Sequence, residues 1–114
     1  MADDEPTFAE KLSALKRAYD EQLGGRIEAL ENAHQEIGGS GSNNNGEPAL
    51  KVLLDLAHKL AGSAGTFGYK DLSTSALNLE NRCQQLINDG HAPDADGMQE
   101  LSELIAVCSR YATR

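Results

Sequence analysis

Leu50, Leu53, Ala57, Leu60 and Ala64 recur at steps of three and four. That spacing returns apolar side chains to one face of a helix and does not fit the two-residue period of a strand. Three further stripes repeat it. Phe8, Leu12, Leu15, Tyr19, Leu23, Ile27, Leu30 and Ile37 hold one face over 8–37. Leu72, Ala76, Leu79, Cys83 and Leu86 form another. Leu101, Leu104 or Ile105, Cys108, and Tyr111 or Ala112 form the last. With no alternating segment among them, four amphipathic helices predict an all-α fold, an antiparallel four-helix bundle. The chain has 114 residues, enough for one modest domain and not two.

The punctuation between the stripes is equally readable. Residues 1–5 are acidic and expected to be flexible, leaving 6–114 as a single domain. Thr7 with Glu10 three residues on forms a capping-box pattern. Gly24-Gly25 interrupts the first stripe without changing its phase, so one long helix, straight or kinked, is favoured over two. The run 38–48, Gly-Gly-Ser-Gly-Ser-Asn-Asn-Asn-Gly-Glu-Pro, is expected to be a flexible loop. Pro48 suits the first turn of the helix that follows. That helix should close near Phe67-Gly68, with Phe67 plugging the bundle end and Gly68 in a conformation that larger residues avoid. Lys70 or Asp71 then starts the third helix, and Asn88-Asp89-Gly90 stops it. His91-Ala92-Pro93 reads as a turn, with Asp94 or Asp96 as the next cap.

His58 lies one position past Ala57, about 100° round the axis, and so off the centre of its buried stripe. Its own face carries Lys51, Leu54 and Asp55 before it and Ala61, Gly62 and Gly65 after it. Each glycine inside a helix costs roughly 1 kcal/mol relative to alanine. A helix face that bears this cost beside a histidine is cleared for the close approach of another body. A bland reading sets a helical histidine partly against the bundle. The two glycines weigh against it here.

The stretch from His58 to Gly68 resembles the signature of histidine-containing phosphotransfer (HPt) domains of two-component phosphorelays. That pattern is a histidine, a glycine four residues on, a small residue next, and a second glycine ten residues after the histidine. His58, Gly62, Ser63 and Gly68 match it. Leu72, Ala76, Leu79 and Glu80 resemble the family's next helix. One position departs: the family's usual lysine, three residues after the histidine, is Ala61. The resemblance implies an HPt-like bundle with an N-terminal helical extension. It implies that His58 is the phosphoryl acceptor, supported by Lys59, Gly62, Ser63, Gly65 and Gly68. Lys51, Leu54, Asp55, Ala61, Lys70 and Glu80 are then candidates for docking or local electrostatics. With Ala61 uncharged, Lys59, Lys51 and Lys70 are the sources of any positive field. Asp55, one turn before His58, is placed either to orient it or simply to lie on a solvated helix face. Glu80 is expected to lean aside or to pair with a lysine.

A neutral imidazole, through Nε2, would take the phosphoryl group of a receiver aspartate and return it. The resemblance implies a response regulator receiver domain as partner, with a hybrid sensor histidine kinase as a further one. No cofactor is expected on this chain, and Mg²⁺ is expected in the receiver. No autonomous kinase or phosphatase activity is expected. The alternative is a four-helix scaffold that binds and sequesters receivers without being phosphorylated; the loss of lysine at Ala61 is the feature in its favour.

Other chemistries find little support. A formal charge of −8 argues against nucleic acid. His34, His58 and His91 fall in different elements and form no zinc-type pair. His34 is expected to face solvent. Ser63 is five residues from His58 and does not stack on it in a helix. Cys83 and Cys108 sit on apolar stripes, which fits two buried thiols better than a disulfide. No run reaches transmembrane length and no apolar segment follows Met1, so a cytoplasmic monomer without membrane insertion is expected.

Overall fold

The computed structural model describes residues 7–39, 47–90 and 93–112. Four helices account for nearly all of them: α1 (Phe8–Gly39), α2 (Glu47–Thr66), α3 (Lys70–Asp89) and α4 (Ala95–Ser109). α1 packs on α2 and α4, and α3 packs on the same two, so the helices form a ring in chain order. The pairings run antiparallel. Ala61 meets Ser73 while the earlier His58 meets the later Glu80, for example.

The core is the four stripes turned inward. Leu23, Leu30, Leu50, Leu53, Leu60, Leu72, Leu79 and Leu101 are almost completely buried, with Cys83 and Cys108 beside them. Each fully buried leucine contributes about 1.5–3 kcal/mol relative to an exposed one. In α4 it is Ile105 that is buried, with Leu104 only partly so. The helix ends at Ser109, leaving Tyr111 and Ala112 packed against the core from just beyond it.

Helix ends follow side-chain chemistry. Thr7 and Glu10 form a reciprocal box, with Thr7 N–H donating to Glu10 Oε1 at 2.8 Å and Glu10 N–H to Thr7 Oγ1 at 3.1 Å. Asp94, not Asp96, caps α4 by accepting from Gly97 N–H at 2.8 Å. α2 ends with Gly68 at φ +89° and Tyr69 N–H on Ala64 O at 2.8 Å. This is a left-handed closure that a side chain at residue 68 would strain. Gly90, at φ +80°, closes α3 in the same way.

Two expectations need correction. The loop 38–48 is shorter at both edges, because α1 runs to Gly39 and α2 begins at Glu47; the rest of that loop, like residues 1–5 and His91, lies outside the described residues. As the unbroken phase of the stripe implied, α1 is continuous through Gly24-Gly25. The first stripe is not buried along its length. Phe8, Leu12 and Leu15 are 81%, 46% and 57% exposed, and every described residue before Tyr19 is exposed. The cause is length. Tyr19 already lies level with Ser63 and Phe67 at the end of α2, so the turns before it project past the bundle and have nothing to cover them.

Candidate functional site

His58 sits mid-way along α2 on its outer surface, with its side chain 68% exposed. The α2–α3 packing brings Glu80 to it. Nδ1 of His58 lies 3.0 Å from Glu80 Oε2. A carboxylate can only accept, so Nδ1 carries the proton and donates. The Nε2 lone pair is then left on the far side of the ring from Glu80, toward solvent. A negative charge next to Nδ1 also stabilises a ring that becomes cationic when Nε2 forms a new bond. Glu80 therefore neither leans aside nor pairs with a lysine.

The surface around the ring is small and apolar. Leu54 and Ala61 are partly buried against the core, and Gly62 is exposed. A Cβ at Gly62 would meet nothing within 4 Å. Gly65, three residues on, differs: its Cβ would touch Ser73 Oγ at 3.4 Å. Ser73 Oγ in turn donates to Ala61 O at 2.7 Å, drawing α3 close to α2. Gly62 thus keeps space open above the helix, and Gly65 serves the helix–helix contact. Leu77, 47% exposed, lies on α3 between Ser73 and Glu80 and extends the patch. Sequence reasoning left it out, although its signal was present: Leu77 stands one position past buried Ala76, as His58 stands one past Ala57.

Several candidates do not meet at the histidine. Asp55 pairs with Lys59 one turn on, Oδ2 to Nζ at 2.9 Å, so the two side chains turn to each other and Asp55 does not orient His58. Lys51 is exposed, two turns back and about 10 Å along the axis. Lys70 opens α3, ten residues and about 15 Å from Glu80. Ser63 faces α1, where its Oγ shares a 2.7 Å hydrogen bond with Tyr19 Oη. The Tyr19 ring stacks on Phe67 at 4.8 Å, and Tyr69 Oη donates to Asp20 Oδ1. Ser63 and Phe67 therefore hold the end of α2 on α1, and Gly68 turns the chain into α3. Their place in the motif is structural.

His34 does not face solvent. It is half-buried, with Nε2 donating to Met98 O at 2.9 Å across the α1–α4 seam. An open groove of about 420 Å³ beside it, lined by Glu31, His34 and Ser102 among others, lies on the α1–α4 side and includes no residue of the His58 patch. Both cysteines are free and buried. Burial pushes Cys83 up to about 12, helped by the charge of Glu80, and Cys108 up to about 11. Among the described residues no group of three or more His, Cys, Asp or Glu side chains is placed to hold a metal ion. No described helix is long and apolar enough to cross a membrane.

The family model for the Hpt domain matches residues 7–110, nearly the whole chain. This protein belongs to the Hpt family. Hpt domains serve histidine phosphotransfer in two-component phosphorelays and interact with the receiver domains of response regulators. The match embraces all four helices of this Hpt domain, including the part of α1 that projects from the bundle. No curated protein and no solved structure matches the chain.

Proposed function

We propose that this Hpt domain accepts a phosphoryl group on His58 Nε2 from the aspartyl phosphate of a receiver domain and passes it on reversibly. The observation that carries the reading is the 3.0 Å contact between His58 Nδ1 and Glu80 beside the open Gly62 surface. The Nε2 lone pair forms the N–P bond as the acyl phosphate O–P bond breaks, and the electron pair leaves with the receiver carboxylate. The Nδ1 proton stays in place, and the cationic phosphoimidazole faces the Glu80 carboxylate. No base is needed to remove a proton. Leu54, Ala61, Gly62 and Leu77 form the surface on which the receiver seats. Mg²⁺ and most of the charge neutralisation come from the receiver, since phosphoryl transfer rests on positioning and electrostatic support. A cytoplasmic setting follows from such a partner and agrees with the two buried thiols.

The test is to incubate the protein with phosphorylated receivers, map the label, and compare H58Q. An acid-labile, base-stable adduct on His58 that H58Q abolishes supports the proposal. Label retained by H58Q refutes it. Binding that survives H58Q, with no transfer at any time, supports the sequestering scaffold.

A further inference from the structure

The projecting turns of α1 carry an apolar stripe that the bundle leaves bare. We propose that this segment, residues 8–18, is a homodimerisation surface that pairs antiparallel with the same segment of a second copy.

The pattern specifies both partner and direction. Written as a heptad, Leu12 and Tyr19 fall at a, Phe8 and Leu15 at d, Ala9 and Lys16 at e, and Lys11 and Ala18 at g. The a and d positions are apolar throughout. In a parallel pair, g faces e of the partner one heptad along, which would set Lys11 against Lys16 on both flanks. Like charges so placed repel. In an antiparallel pair e faces e and g faces g. Lys16 then lies across Ala9 and Lys11 across Ala18, with no like charges opposed and with the lysine stems covering apolar surface.

The antiparallel register also fills a space. Centring the pair between Leu12 and Leu15 sets Leu12 of one copy on Leu15 of the other, and Phe8 at the level of Tyr19. There the structure has an open groove of about 230 Å³ lined by Leu15, Ala18, Tyr19, Gln22, Arg26 and Phe67. Phe8, the most exposed large apolar side chain among the described residues, is the residue this register delivers to the groove. The two-fold arrangement makes the exchange twice, as an isologous interface must.

Residues 8–18 hold Lys11, Lys16 and Arg17 against Glu10, three basic to one acidic, so the pair is held by its apolar seam against a net like charge on the two segments, and added salt strengthens it. The segment spans about 16 Å. It buries less than the roughly 800 Å² per partner of a standard interface, so the dimer exchanges with monomer. This surface lies beyond the α2–α3 corner and not on the outer face that carries His58, so a dimer leaves His58 accessible.

The experiment has two parts. Sedimentation equilibrium of the whole chain, up to about 1 mM, should show mass rising from one chain toward two. The double variant L12D/L15D should remain monomeric, with its helicity and thermal transition showing that the bundle is intact. For direction, thiol crosslinking in a background with Cys83 and Cys108 replaced by Ala should join L12C to L15C in a mixture, whereas L12C by itself should not crosslink. A wild-type chain still monomeric at about 1 mM overturns the proposal. So does a dimer that L12D/L15D leaves intact, or crosslinking of L12C with itself but not with L15C. Loss of receiver binding in L12D/L15D from a strictly monomeric wild type would assign the stripe to the receiver and likewise overturn it.

Discussion

Gly62 and Gly65 lie three residues apart on one helix face, yet the structure assigns them opposite duties that one set of substitutions separates. A Cβ at Gly62 meets nothing within 4 Å. Alanine there should therefore recover the helix-propensity deficit of glycine, about 0.8–1.0 kcal/mol. For a chain of this size that is a rise in Tm of roughly 3–6 °C. G62Q should also fold, since its side chain extends into solvent. It stands beside the imidazole, however, and should block receiver approach, lowering transfer by at least about tenfold, the equivalent of ~1.4 kcal/mol. At Gly65 a Cβ already touches Ser73 Oγ at 3.4 Å. G65A should gain less stability than G62A. G65Q must push α3 away or break the Ser73 bond to Ala61, costing about 1–3 kcal/mol as overpacking does. Thermal unfolding by circular dichroism, paired with timed transfer from one phosphorylated receiver, reads both effects. A folded G62Q that transfers at the wild-type rate would refute the reasoning, as would a G62A that is no more stable than wild type.

E80Q should slow transfer roughly two- to tenfold, from the ~0.5–1.5 kcal/mol net value of one hydrogen bond, and should mix the ring tautomers of His58 in its nitrogen NMR shifts. An unchanged Nδ1–H tautomer would show that Glu80 does not set it. A61K should lengthen the phosphohistidine lifetime by about fivefold, the effect of ~1 kcal/mol of screened attraction, measured as decay of the labelled protein. An unchanged lifetime would mean that the receiver supplies all the useful charge. Cys83 and Cys108 are raised from 9.0 to about 12 and about 11, so the native thiols should resist disulfide reagents at pH 8 and react on unfolding. Above pH 9 the unfolded chain ionises these thiols and the native one does not. Their contribution to stability is therefore complete below pH 9 and is lost as pH rises through 11–12, which denaturant titration across that range would detect.

Periodicity alone determined the four helices and almost every core position, because an apolar residue every three or four places has one way to be buried. Caps were legible for the same local reason: Thr7 with Glu10, and Gly68, act on backbone groups a few residues away, while the cap of α4 was narrowed to Asp94 or Asp96 and the structure chose Asp94. The candidate histidine was legible too, since its glycine clearing lies on its own helix. What the chain order could not state was everything across helices. Glu80 is twenty-two residues from His58 and reaches Nδ1 because α3 packs antiparallel at the register set by Ser73 and Ala61. Ser63 lies inside the motif but turns toward Tyr19, and Asp55 and Lys59 satisfy each other, because direction round an axis decides contact more than distance along it. The first stripe is the plainest case. Phe8, Leu12 and Leu15 have the same spacing as the buried residues that follow, and only the length of α1 relative to α2 leaves them outside the bundle. A stripe records that a face is apolar; the fold decides whether its own chain covers it.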